Sequence, residues 1–257
     1  MSGQRRKNRP EQGVLAFPVE SRSDAPKPAA KGTETLVAKR KSESLAGTER
    51  LMEEVCELEN CKQALQRVKA NKGSPGVDGM TVDELPAYLK QHGLEIGEQL
   101  RSGTYQPQPV RGVEIPNPDG SGMRKLGIPC VLDRFIQQAV LQVLQKRWDP
   151  TFSEHSHGFR PGRSARQAVR QAQQYIAEGH RWVVDLDLEQ FFDRVNHDRL
   201  LAAVAKRVAD PRILRLIGAF LKAGVLENGL VTAVDEGTPQ GGPLTPLTQK
   251  VISNSRG

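Results

Sequence analysis

Two aspartates set two residues apart open the chemical question. In Arg181 to Glu189, RWVVDLDLE, strand alternation puts Trp182, Val184, Leu186 and Leu188 on one face and Val183, Asp185 and Asp187 on the other. The two carboxylates then lie ~7 Å apart, and their repulsion is of order 2 kcal/mol at an effective dielectric of 20. A divalent cation between them would remove that penalty. An amphipathic strand with a wet acidic face would show the same pattern, so the pair alone leaves both readings open.

The elements around this segment can be read from periodicity and punctuation. Leu51, Val55, Leu58, Leu65 and Val68 recur at helical spacing, predicting one amphipathic helix from Thr48. NKGSPGVDG, residues 71 to 79, breaks it as a structured loop, and Thr81 with Glu84 has the pattern of a capping box. GVEIPNP predicts a strand ending at prolines, with NPDGSG as hairpin or loop. The pairs Val131/Leu132, Phe135/Ile136, Ala139/Val140 and Val143/Leu144 predict a long helix with an apolar face. Ser164 with Gln167 predicts a second capping box, opening a helix with the stripe Ala165, Ala168, Val169, Ala172 and Ile176 buried and Gly179 as its stop. Asp210 before Pro211 opens a further helix that Gly224 closes, and Asn228-Gly229 marks a tight hairpin between VLE and LVTAV. Helices and strands alternate without a βαβ rhythm, which predicts an α+β fold.

Composition narrows the class. The 257 residues are 37% hydrophobic and 26% charged, enough for one or two domains with a real core. A net charge of +7 is compatible with a polyanionic partner. Residues 1 to 47 are too poor in apolar side chains to order themselves and are expected to form a disordered basic tail, whose Arg5, Arg6, Lys7 and Arg9 could meet phosphates. Cys56, Cys61 and Cys130 lack zinc-site spacing and fit a reducing cytoplasm as small hydrophobes. No apolar run approaches the ~20 residues of a membrane span, and no apolar core follows MSGQRRKNRP. The expectation is a cytoplasmic protein without membrane partners. His155, His157 and His197 have no third ligand placed by spacing.

The blocks NKGSPGVDGMTVDEL, RKLGIPCVLDRFIQQAVLQVLQ, FSEHSHGFRPGRSARQAV, VVDLDLEQFFDRVNHDRL and EGTPQGGPLTP follow one another from about Leu51 to Leu247. In this order they resemble the reverse transcriptases and maturases encoded by bacterial group II introns. The resemblance implies a right-hand polymerase, with residues 48 to 110 as the helical and loop part of the fingers and 111 to 247 as fingers and partial palm. The implied activity is RNA-directed DNA polymerisation, with intron RNA binding for splicing and mobility. Its partners are intron RNA, an RNA template with DNA primer, and deoxynucleoside triphosphates.

Chemistry in that family is two-metal phosphoryl transfer with Mg²⁺, which requires carboxylates facing the ions from the palm sheet. Asp187 matches the first metal-binding, catalytic aspartate, whereas Asp185 shares its face but not its motif position. Phe192 matches the aromatic residue beneath the incoming sugar, although without the resemblance it would read as core. Arg111 and Arg124 match residues that hold the triphosphate, a task suited to guanidinium forks. Gln240 matches a glutamine beside the nucleotide, and Gly241 and Gly242 permit close backbone approach. Asn117 stands where the family usually has lysine, and Arg166 where histidine is common.

After PLTP the sequence reads LTQKVISNSRG, where the family continues through an apolar helix to a Tyr-Ala-Asp-Asp turn bearing the other two metal-binding aspartates. The sequence reading therefore expects a truncated member, catalytically incomplete by itself, with residues 248 to 257 as a frayed, non-matching tail. The alternatives it carries are a non-enzymatic RNA-binding partial maturase and a non-functional pseudogene product.

Overall fold

In the computed structural model, residues 47–116, 120, 122–185, 193–238 and 241–254 are described, the last three of them by backbone alone. The elements run α1 (Leu51–Val55), α2 (Leu58–Asn71), α3 (Leu85–Ser102), β1 (Val110–Pro116), β2 (Met123–Ile128), α4 (Val131–Trp148), α5 (Ala165–Ala177), α6 (His197–Ala205), α7 (Pro211–Lys222), β3 (Val225–Glu227), β4 (Leu230–Thr232) and α8 (Thr245–Asn254). This is the α+β class the patterning predicts. No helix among the described residues is long and apolar enough to cross a membrane.

The first predicted helix is two. The chain turns at Cys56 and Glu57, whose extended φ of −61° and ψ of 138° start α2 afresh. The break lets Leu51, Met52 and Val55 pack separately from Ala64 and Val68. Helix α4 is the centre of the core, with α1 and α2 against it, and it is buried on more than its apolar face. Its buried amides are therefore paired: Gln142 donates to the Asn60 side chain at 2.8 Å, and Asn60 donates to the Ala139 carbonyl at 3.1 Å. The 71 to 79 loop docks on the start of α4. A Cβ on Gly76 would meet the Cys130 backbone, and Arg134 donates to the Ser74 carbonyl at 2.7 Å.

Several caps match their sequence signatures. Ser164 and Gln167 form the reciprocal box, Asp210 accepts from the Arg212 amide ahead of Pro211, and Asn228-Gly229 turns with φ of 51° and 82°. The Thr81–Glu84 box is half made. Glu84 accepts from the Thr81 amide at 2.8 Å, but the Thr81 hydroxyl bonds the same carboxylate rather than the helix backbone.

Three expectations are corrected. Helix α5 is amphipathic but buries none of its residues: Val169 is 57% and Ile176 67% exposed, because no described element packs on that stripe. Residues 181 to 185 form no strand, since a strand exists only by pairing and no described neighbour takes up their ladder. Trp182 is consequently 94% exposed. The tail is not frayed over 248 to 254, where α8 continues. Leu244, Leu247, Thr248 and Val251 recur at three- and four-residue spacing, all are buried, and α8 lies against α6.

Candidate nucleotide site

The sheet is short, ordered β2-β1-β3-β4, with β1 antiparallel to β2 and parallel to β3. Its register decides what the two candidate arginines can do together. Arg111 pairs with Ile128 and Arg124 with Ile115. Arg111 and Arg124 thus stand on one face of the hairpin, four residues of rise or roughly 13 Å apart along it. Arg124 is exposed. Arg111 is half-buried, and its Nε has no hydrogen-bond acceptor among the described residues.

On the opposite face Lys125 reaches Glu227 of β3 at 3.1 Å, passing across β1. Gly112 makes that crossing possible, because a Cβ there would sit 2.5 Å from Glu227 Cγ. The patterning did not single out this ion pair, since only the β1–β3 pairing brings its residues together. Beside it opens a cleft of about 180 Å³, lined among others by Lys125, Asp193, Glu227, Glu236 and Thr238.

Gly241 and Gly242 bring the far end of the chain against this hairpin and against α4. A Cβ built on Gly241, whose φ is +146°, would lie 2.5 Å from the Gly127 carbonyl oxygen of β2. Another on Gly242 would collide with Gln137 Oε1 of α4. These glycines therefore let the loop rest directly on the edge of the arginine-bearing hairpin and on the core helix. Asp187, Phe192 and Gln240, together with Asn117, lie outside the described residues. The structure brings together Arg111, Arg124 and the two glycines that follow Gln240.

Below the loop, Asp133 lies fully inside the protein. The Tyr105 hydroxyl and the Gln108 amide donate to it at 2.9 and 3.1 Å. Burial pushes its carboxyl up to about 6, against the lowering effect of these two donors. Burial likewise pushes the Cys61 and Cys130 thiols up to about 11, which keeps them protonated and unreactive. The histidines have other partners: His155 Nδ1 meets the Tyr175 hydroxyl at 3.0 Å, and His197 Nε2 meets the Gly237 carbonyl at 2.7 Å. Among the described residues no three His, Cys, Asp or Glu side chains converge to hold a metal. They do not by themselves fit a two-Mg²⁺ centre. Arg166 is exposed on α5.

Comparison with known proteins identifies the family. The family model for reverse transcriptase (RNA-dependent DNA polymerase) matches residues 115–255. Protein YkfC of Escherichia coli K12 is 37% identical over 212 residues, 80% of this chain and 55% of that protein. Group II intron-encoded protein LtrA of Lactococcus lactis subsp. cremoris is 37% identical over 188 residues, 73% of this chain and 31% of that protein. The chain thus spans about half of one relative and under a third of the other. Among solved structures, a chain of a partial Cas6-RT-Cas1--Cas2 complex superposes with a TM-score of 0.53 at 24% identity, covering 80% of this chain and 34% of its own length. That likeness is one of fold.

Proposed function

Because the chain belongs to the reverse transcriptase (RNA-dependent DNA polymerase) family, we propose that its β1–β2 hairpin and its Gly237–Gly242 loop form the nucleotide side of a group II intron type polymerase site. The observation that carries the reading is the contact of Gly241 with the Gly127 carbonyl. Two motifs more than a hundred residues apart meet there, one bearing Arg124 and the other following Gln240. Arg111 and Arg124 receive the triphosphate from their common face through their guanidinium forks. By their match to the family motifs, Gln240 is assigned to the nucleotide, Phe192 to its sugar, and Asp187 to catalysis and metal. The family generally uses divalent metal ions, and Mg²⁺ is the ion proposed here.

The macromolecular partners are intron RNA and an RNA template with DNA primer, held through phosphates and shape by the basic surface. RNA-directed DNA polymerisation is the activity of the assembled site, and intron RNA binding serves splicing and mobility.

Equilibrium binding of a fluorescent deoxynucleoside triphosphate tests the reading. Each charge-assisted contact contributes on the order of 1.5–3 kcal/mol, so Arg124→Ala and Arg111→Ala should each weaken binding about 10-fold or more. Unchanged affinity in both would sink the nucleotide-site assignment. RNA binding should weaken with a log-log salt slope of about 0.7 to 0.9 per neutralised phosphate, and Asp187→Ala should leave it unchanged.

A further inference from the structure

We propose that His197 is a positioning residue that locks the loop bearing Gln240 to the segment that follows Asp187 and Phe192. This rests on the nucleotide-site reading and adds to it a residue outside the set of nucleotide and metal contacts.

The observations concern one glycine held from both sides. Gly237 accepts at its carbonyl from His197 Nε2 at 2.7 Å and donates its own amide to the Val195 carbonyl at 2.7 Å. Between these two bonds, Asn196 and Glu236 form an antiparallel bridge. Three consecutive residues, Val195 to His197, thus clamp one peptide turn whose φ of +88° suits glycine. A carbonyl oxygen can only accept, so the bond requires the hydrogen on Nε2.

The clamp is internal. His197 is 4% exposed, and as the first residue of α6 it follows Asn196, whose side chain caps the helix by accepting from the Arg199 amide at 3.0 Å. The imidazole is therefore mounted on a capped helix end, and breaking its bond leaves a buried carbonyl unpaired. Gly237 and Gly241 then bracket Gln240 in sequence, the first fastened to α6 and the second seated on β2. Phe192 precedes Val195 by three residues. The clamp thus joins residues that follow Phe192 in sequence to residues that precede Gln240.

The test uses the whole chain with His197→Ala and His197→Asn as loss variants and His197→Gln as the conservative one, because a glutamine amide can reach the place of Nε2. Circular dichroism and urea midpoints report folding, and amide exchange reports the 237–242 loop against α4 as reference. Exchange in the loop should rise about 10-fold in His197→Ala and His197→Asn and return to within about 3-fold of the parent in His197→Gln. Triphosphate affinity should fall several-fold in the two loss variants and recover in His197→Gln. Parental exchange in folded His197→Ala and His197→Asn, or no recovery in folded His197→Gln, overturns the proposal. A parent chain that binds no triphosphate sinks the nucleotide-site reading instead, while the exchange comparison still decides the clamp.

Discussion

The Tyr105 hydroxyl donates a 2.9 Å hydrogen bond to Asp133 Oδ1, joining the segment after α3 to the buried start of α4. Asp133 lines a small cavity that Thr238 and Gly242 also line.

This pair predicts an unusual pH dependence. Burial raises the folded Asp133 carboxyl from its ordinary 3.8 to about 6, so the folded chain binds the proton more tightly than the unfolded chain. Its stabilising contribution is therefore full below about 3.8 and is lost as the pH climbs through about 6. Between pH 7 and 4.5 the parent should gain about 2 kcal/mol relative to Asp133→Asn, measured by urea unfolding at each pH. A constant gap between the two proteins refutes it.

A second prediction concerns Asp210, which is fully buried and accepts from the Met52 amide at 3.0 Å while capping α7 through the Arg212 amide. Arg212 in turn forks onto Asp210 and Glu53, fastening α1 to α7. Asp210→Ala removes the cap and orphans a buried amide, and it should cost about 2–4 kcal/mol in urea unfolding. A loss under about 1 kcal/mol would show the network to be incidental.

Helix α8 supplies the third. Val251 is fully buried, and Lys250 donates to Ser156 Oγ at 3.2 Å with its ammonium 5.5 Å from the Phe152 ring centre. Val251→Asp places a charge in that seat and should cost about 3 kcal/mol or more. Amides of residues 248 to 251 should exchange slowly in the parent. Exchange there as fast as in an unstructured peptide would show that α8 does not pack.

The fourth tests the loop's seat. Gly241→Ala meets both a positive φ and the Gly127 carbonyl, so the loop must lift, at a cost of about 1–3 kcal/mol. Triphosphate affinity should fall several-fold, whereas Gly158→Ala, where a Cβ meets open space, should leave it unchanged. Equal affinities would mean that the close approach is not needed for binding.

What the sequence determined by itself was the family, through its ordered blocks, and those local features whose causes lie within a few residues. The Ser164 box, the Asp210-Pro211 start and the Asn228-Gly229 turn are of this kind, because capping bonds and φ preferences act over one turn of chain. Arg111 and Arg124 were legible as candidates only through the resemblance, and their common face came from the β1–β2 register. Tertiary structure also decided which amphipathic faces are covered. The α5 stripe and the α8 stripe look alike as spacing, yet α5 is exposed and α8 is buried, because among the described elements α6 packs on α8 and none packs on the α5 stripe. The His197 clamp belongs to the same class. A histidine and a glycine forty residues apart carry no mark of each other in sequence, since their bond depends on where β3, β4 and α7 return the chain.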